Sequence, residues 1–530
     1  MHNFFSWAEV QGDRVVLTQA ETGEAHTAGQ LAARALELAQ WLAARPLKAG
    51  DTIAVLLENR VEILQLVLAA REAGLFAAVV STHLTPSEVE YILRDSGAQL
   101  LLVSSRTWPK AQQAHSALGL PVYSVDADTQ DVPSLQGALS ELEGQATVDL
   151  STRPLGRDLL YSSGTTGRPK GVVRPLFGPE YRHQTDPEVA NTQRLMQFDE
   201  HMVYLSPAPL YHAAPLRYTL RALDSGGAAV IMRSFDPERS LALIEQYQIT
   251  HSQWVPTMLT RMLKLPDAVK RHYRLSSHKV AVHAAAPCPV ALKQAMLDWW
   301  GDILMEYYAG SEGCGTTVIN SQEWRHKRGS VGRAISGILH IVDDHGAELS
   351  AGETGRIYFE KGGAFSYLND EAKTREAFDE RGWATYGDIG YVDEDGYLFL
   401  SDRRADLILS GGVNVYPQEI ELALATHPAV DEVAVVGVAH DDFGELPLAV
   451  VVLKPGEVAS ESLARAIVAQ AAPHLSKVKW PERVVFETQL PRLETGKLLR
   501  RVLKERFKTE RDAGYDVRAA VSLAMQAHGG

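Results

Sequence analysis

The chain has 530 residues, 45% of them hydrophobic and 22% charged, with a formal net charge of -14. That length exceeds one ordinary core, so at least two domains are expected, and the composition excludes a disordered protein. The negative balance excludes a general nucleic-acid binder, because a polyanion would be repelled over most of the surface.

In chain order, the N-terminal MHNFFSWAEVQGDR has no basic segment followed by an apolar stretch and is not read as a secretory leader. The most apolar run, EILQLVLAAREAGLFAAVVS, is interrupted by Arg71 and Glu72 before it could cross a bilayer. A cytoplasmic protein without integral membrane contact is therefore expected. From 51 to 310 short apolar runs alternate with helix-like stretches. DTIAVLL, FAAVVS, QLLLVS, AAVIM and HSQWV are continuous apolar runs, the pattern of buried parallel strands. Between them, TPSEVEYILRDSG carries Thr85 as cap, Pro86 at the first helical position, Glu88 to complete a capping box and Gly97 as a stop, and Asp236 with Pro237 repeats the logic. The fold class is α/β, with parallel sheet flanked by helices.

From about Gly329, RIYFEKGGAF and WATYGDIGYVDEDGYLFL read as hairpins of a β-rich subdomain spanning 329–401. After it a helix, two strands, a helix and a strand form a small α+β unit. The expected division is residues 1–401 and 402–530, with the last twenty or so residues a loosely held tail. The basic stretch 477–511 reads as a solvated helix face, with an anion-binding patch as the other reading. Cys288 and Cys314 have no metal-ligand spacing and read as small buried or half-buried side chains.

The stretch YSSGTTGRPKG, 161–171, is the strongest local signal. It is not a Walker loop, since Lys170 stands between Pro169 and Gly171. It still suits phosphate: Gly164 and Gly167 let the backbone turn amides inward, Ser162, Ser163, Thr165 and Thr166 offer hydroxyls, and Lys170 supplies charge.

YSSGTTGRPKGVV resembles the signature loop of the adenylate-forming superfamily, which includes acyl-CoA synthetases, stand-alone adenylation domains and luciferases. Further motifs stand in the family's order: PLYHAAP, HAAAPCP, YYAGSEG, YGDIGYVDEDGY, SDRRADLILSGGVNVYPQEIE and PRLETGK. The resemblance implies a large adenylation domain and a small mobile C-terminal domain, with ATP, Mg2+ and CoA as reactants and cofactor. It implies that Thr165, Thr166 and Lys170 hold the β- and γ-phosphates and that Glu312, with Thr165, holds the metal. Tyr308 would stack on adenine, Ser311 would reach the α-phosphate, and the backbone of Ala285, Ala286 and Pro287 would line the base. Asp388 would take the ribose hydroxyls with help from Arg403. Lys497 would stabilise the adenylation transition state. Gly411 and Gly412 would admit the pantetheine arm, and His212 would sit between acyl pocket and thiol tunnel. Trp254, Met258 and Tyr211 are candidate pocket walls, with ordinary core as the stronger reading. The chain departs from the family at Ala309, where a glycine is usual, and at the hinge, where Ala405 replaces Asp or Lys.

The expected activity is ATP-dependent activation of a largely apolar acid (fatty, aryl-propenoic or cyclic) and its transfer to CoA. An amide synthetase or carrier-protein loader changes only the acceptor. A binding module without turnover is the third reading, and a homo-oligomer is left open.

Overall fold

In the computed structural model, residues 2–127, 129–141, 146–162, 169–403, 406–410, 413–440, 443–492, 498–510 and 512–518 are described. The apolar runs form strands as expected, and they divide between two sheets. Thr52–Leu56, Phe76–Val79 and Leu100–Val103 join Val122–Ser124 and Arg157–Asp158 in an all-parallel sheet of five. Ala228–Ile231 and His251–Trp254 belong to a sheet of thirteen.

The larger sheet changes character along its length. Strands Val15–Gln19, Ala228–Ile231, Val203–Ser206, His251–Trp254, Val280–His283 and Leu304–Tyr308 lie parallel. From Thr316–Asn320 onward the neighbours are antiparallel, through Ser330–Ser336, Leu398–Arg403, Asp388–Val392, Gly355–Glu360 and Ile338–Val342. The β-rich stretch is thus a hydrogen-bonded continuation of the parallel sheet. One hairpin is placed differently from its expectation: Gly355–Glu360 pairs back to Ile338–Val342 and not forward to residue 365.

Both faces of the parallel strands are buried. Alternate residues join different apolar cores, Val280 and Val282 on one side and Ala281 on the other, as a period of two requires. The helices Ala28–Ala43 and Val61–Ala73 fill the layer between the two sheets. This explains the apolar run that contains the second helix: sandwiched on two sides, it buries all but two of its 13 residues, Glu62 and Arg71. Arg71 is paired with Asp224 at 2.9 Å. Among the described residues no helix is long and apolar enough to cross a membrane.

The strand Leu398–Arg403 still pairs with the large sheet, through Arg403 opposite Asp388, and Ile408–Ser410 is the next strand, in a separate sheet of six. That sheet carries the expected helices Pro417–Leu424 and Glu461–Ala471. The basic stretch supplies the helix Arg500–Thr509, which buries Leu503 and Phe507 and turns its charges outward. Arg500 is held by Glu421, both carboxylate oxygens at 2.6 Å, so it is a strut of this unit and not a solvated charge. The tail expectation needs correction for its first residues: Tyr515–Asp516 pairs with Arg483–Glu487 and Val517 is fully buried.

Three histidines are buried in the large domain. Burial holds His251 at about 4, His278 at about 3 and His283 well below the ordinary 6.5. Below about pH 6.5 the unfolded chain takes up protons at these sites and the folded chain does not, so stability is complete above that pH and is lost as the pH falls. Each site costs about 1.4 kcal/mol per pH unit while it is deprotonated only in the folded state. The buried carboxylate Asp158 and the half-exposed Glu188, both held low by arginines, act in the same direction but only below their ordinary values of 3.8 and 4.5. Tm should stay level from pH 7.5 to about 6.5 and fall steadily from there to pH 5.0, and His278→Gln should give a lower but flatter curve; a Tm independent of pH between 6.5 and 5.0 contradicts the assignment.

Candidate active site

Loops at the carboxyl ends of the parallel strands carry His212, Ala285, Ala286, Pro287, Ser311 and Glu312, the usual place for a ligand crevice in such a sheet. His212 caps the helix Ala213–Asp224 after the strand Val203–Ser206, and its ring packs 4.4 Å from that of Tyr211. Ala285, Ala286 and Pro287 follow Val280–His283. Ala285 has φ of +73°, a left-handed conformation that costs a residue with a Cβ about 1–3 kcal/mol. Its strand is the parallel neighbour of Leu304–Tyr308, so the loop flanks Tyr308 directly.

Tyr308 donates its hydroxyl to Asp388 Oδ2 at 2.6 Å, and Asp388 is buried. The Tyr308 ring stands edge-on to Tyr386 at 5.5 Å and parallel to Phe359 at 6.4 Å. In the following loop, a Cβ on Gly310 would lie 2.4 Å from the Tyr386 ring and 2.6 Å from Glu312 Oε2, so only glycine fits there. Glu312 Oε1 accepts the Tyr367 hydroxyl at 2.9 Å. On the other side of Tyr367, Lys170 Nζ lies 5.6 Å from its ring and 3.9 Å from Asp370, with burial lowering the lysine pKa. Tyr367 therefore joins the two residues expected at the phosphates and the metal. The Ser311 carbonyl accepts from Arg217 at 3.3 and 3.4 Å.

Several expected residues lie outside the described residues: Ser163, Gly164, Thr165, Thr166, Gly167, Ala405, Gly411, Gly412 and Lys497. Ser162 and Arg403 are described for their backbone only, in the strands Leu160–Ser162 and Leu398–Arg403. Trp254 and Met258 are core residues: Trp254 is fully buried, gives Nε1 to Ser252 at 2.5 Å and packs on Trp300. Cys288 is half-buried and Cys314 buried, and burial pushes both thiols up. Sequence reading missed Tyr367, Tyr386 and Arg217. Tyr367 reaches the site because Ser366–Tyr367 pairs with Lys170–Val173, nearly two hundred residues earlier, and no local pattern announces that pairing.

Behind the nucleotide face lies a buried ion pair, Lys293 Nζ to Glu306 Oε2 at 2.6 Å, with His283 Nε2 3.8 Å from the same oxygen. Burial raises the Glu306 carboxyl against the pull of Lys293. Glu306 is two residues before Tyr308 and shares its side of the strand, so the pair supports the wall from which Tyr308 projects.

The AMP-binding enzyme family matches residues 4–367, and its C-terminal domain matches residues 419–497. The chain belongs to that family. The long-chain-fatty-acid–CoA ligase FadD13 of Mycobacterium tuberculosis is 32% identical over 493 residues, 91% of this chain and 93% of its own. A 2-succinylbenzoate–CoA ligase of Bacillus pumilus is 32% identical over 505 residues, 94% and 96% of the two chains. Among solved structures, ATP-bound MatB from Rhodopseudomonas palustris, 28% identical, matches with a TM-score of 0.82 over 96% of this chain and 99% of its own, whereas apo MatB gives 0.71 over the same shares. This protein is thus an adenylate-forming acid–CoA ligase of the AMP-forming kind, with a nucleotide-binding fold.

Removing one partner of the buried pair in this ligase leaves a bare charge. Lys293→Met should cost about 3–5 kcal/mol, and Lys293→Met with Glu306→Leu should recover most of it. The Tm values of the two variants check this; a double variant no more stable than the single one contradicts it.

Proposed function

We propose that this ligase joins a largely apolar carboxylic acid, fatty, aryl-propenoic or cyclic, to AMP and then passes the acyl group to CoA. The observation that carries the reading is the pair of contact chains Asp388–Tyr308 and Glu312–Tyr367–Lys170, which supports the roles of ribose acceptor, purine wall, metal carboxylate and phosphate cation for Asp388, Tyr308, Glu312 and Lys170. The acid named for the fatty-acid ligase supports an apolar acid. So do Tyr211, Ala213 and Ala214, which pack on the apolar core beside His212.

In this reading residues 1–401 form the adenylation domain and 402–530 the small domain that carries Lys497. Attack by a carboxylate on a polyphosphate brings like charges together, so cations must be placed where charge develops. Lys170 serves the outer phosphates with Thr165 and Thr166, and Ser311 serves the α-phosphate. Lys497 serves the α-phosphate and the incoming carboxylate. Asp388, with Arg403, takes the ribose, and a carboxylate suits this because its two oxygens accept several donors. Ala285, Ala286 and Pro287 bound the base opposite Tyr308. Gly411 and Gly412 leave room for the pantetheine arm, near His212.

Magnesium fits the donors present. Glu312 offers a hard oxygen, and among the described residues no three His, Cys, Asp or Glu side chains gather into a metal cage. Magnesium is commonly held by one or two carboxylates together with substrate phosphates, where it neutralises phosphate charge.

The better match to ATP-bound than to apo MatB supports an arrangement suited to the first half-reaction. Acid-dependent ATP–pyrophosphate exchange across a panel of acids, followed by thioester detection with CoA, tests the reading. An apolar acid should give exchange and thioester. Lys497→Ala should still bind ATP yet lose acyl-adenylate formation by about 10²–10³-fold or more. Unchanged pyrophosphate release from that variant removes the lysine from the mechanism, and an amide product with no thioester changes the acceptor.

A further inference from the structure

Beneath the 309–313 loop lies a buried network of ions that the adenylation reading does not use. Its centre is Asp158, which is buried at the end of the five-stranded sheet, just before the strand that leads into the phosphate loop. Two arginines share this carboxylate. Arg174, the residue after the strand Lys170–Val173, gives Nη2 to Oδ1 at 3.2 Å. Arg217, on the helix that His212 caps, gives Nη2 and Nε to Oδ2 at 2.7 and 3.1 Å. Arg217 then extends Nη1 and Nη2 to the Ser311 carbonyl at 3.4 and 3.3 Å.

A second carboxylate holds the outer side of the network. Glu188 Oε1 accepts from Arg174 at 2.8 Å and from Arg157 at 3.4 Å, while its Oε2 takes Arg221. With Asp186 close by, four guanidinium groups therefore meet three carboxylates. The surplus is one positive charge in a chain whose total is -14. Burial and its neighbour Arg217 bring Arg174 down only to about 10, so it is charged at neutral pH.

The connectivity is specific. A single carboxylate fastens three segments that are far apart in sequence: the strand that Lys170 begins, the helix behind His212, and, through Arg217, the loop that carries Ser311 and Glu312. We propose that Arg217 is a positioning residue for the adenylation step: its guanidinium, shared between Asp158 and the Ser311 carbonyl, holds the 309–313 loop in register with the Lys170 strand. The inference rests on the roles proposed above for Glu312 and Lys170.

The chemistry requires arginine. Its planar fork offers five donors, enough to serve a carboxylate and a carbonyl at once, whereas the compact ammonium of lysine can keep the carboxylate and lose the carbonyl. The loop needs such a tie because glycines occupy two of its five positions, and Gly313 sits at φ of +77°. A loop shift of about 1 Å is enough to cost about 10²-fold in rate when it misplaces a catalytic group.

The test compares Arg217→Lys, Glu312→Gln and the double variant in acid-dependent exchange with purified full-length protein, varying ATP, acid and Mg2+ separately. Arg217→Lys should keep its Tm within a few degrees and its KM for the acid, lower kcat about 10- to 100-fold, and raise the Mg2+ needed for half-maximal rate. Because Arg217 acts through the loop of Glu312, the double variant should be no slower than Glu312→Gln alone. Wild-type kcat and Mg2+ dependence in Arg217→Lys, or losses that simply multiply in the double variant, overturn the inference. If Arg217→Lys does not fold, Asp158→Asn, which weakens the anchor and keeps the arginine, carries the same expectations and the same overturning results. The outcomes separate from failure of the underlying reading: absence of exchange in the wild type removes adenylation itself, and a silent Glu312→Gln removes the metal assignment, whereas a silent Arg217→Lys beside an impaired Glu312→Gln removes only the positioning role.

Discussion

The architecture turns on the reversal of the large sheet at one strand. From Val203–Ser206 to Val280–His283 the chain follows each parallel strand of this sheet with a helix that returns it to the opposite edge. After Tyr308 no helix follows. The chain turns within the 309–315 segment and comes back antiparallel, Tyr308 opposite Thr317. A tight return of this kind needs glycines and leaves its polar backbone at the carboxyl edge of the sheet, where the loops after Val203–Ser206 and Val280–His283 also end. It also brings the antiparallel half of the sheet, and with it Asp388, to the strand of Tyr308. Without the reversal, the tyrosine and the aspartate, 80 residues apart, would have no reason to meet.

Charge is handled by burial in pairs. A chain of net charge -14 has to bind a polyanion, so its cations must act locally, inside a region shielded from the remaining carboxylates. The arginines around Asp158 and Glu188 are such a group, as is Lys293 on Glu306. Each pair is expensive to desolvate and contributes little to net stability by itself. What it supplies is a fixed position for a backbone segment, and the segments so fixed are the 309–313 loop and the end of the Tyr308 strand.

Much of the fold was legible because its signals are local. The Thr85 hydroxyl accepts the Glu88 amide and the Glu88 carboxylate accepts the Thr85 amide, as the capping box required, and Asp236 caps its helix through the Arg239 amide. The apolar runs became strands because continuous hydrophobicity marks burial on both faces. That same continuity says nothing about which strands are neighbours, so the division into two sheets, with a helical layer between, was not legible. Trp254 and Met258 follow the stronger of their two readings: they lie in the core, Trp254 packed on Trp300, and not in a pocket wall. Tyr367 and Arg217 were invisible for a further reason, since their partners lie 55 and 59 residues away and were chosen by tertiary pairing.

The small unit is built to hold its shape and to be lightly attached. It has its own apolar core, including Ile408, Val435, Val451, Ile467 and Val484, and its own struts, such as Arg500 on Glu421. Against the large domain it places the ion pair Lys264–Asp431 at 2.8 Å, whose lysine is more than half exposed, a type of contact worth about 0–1 kcal/mol. A unit with its own core and its own struts can be carried as one body. That is the mechanical property required of the proposed carrier of Lys497, because a cation that stabilises charge on the α-phosphate in the first step stands in the way of a thiol in the second. The same reasoning places the proposed movable cation on a different unit from the fixed ones: the ions around Asp158 fasten the 309–313 loop to the end of the strand Lys170–Val173, and the proposed lysine is needed for one step.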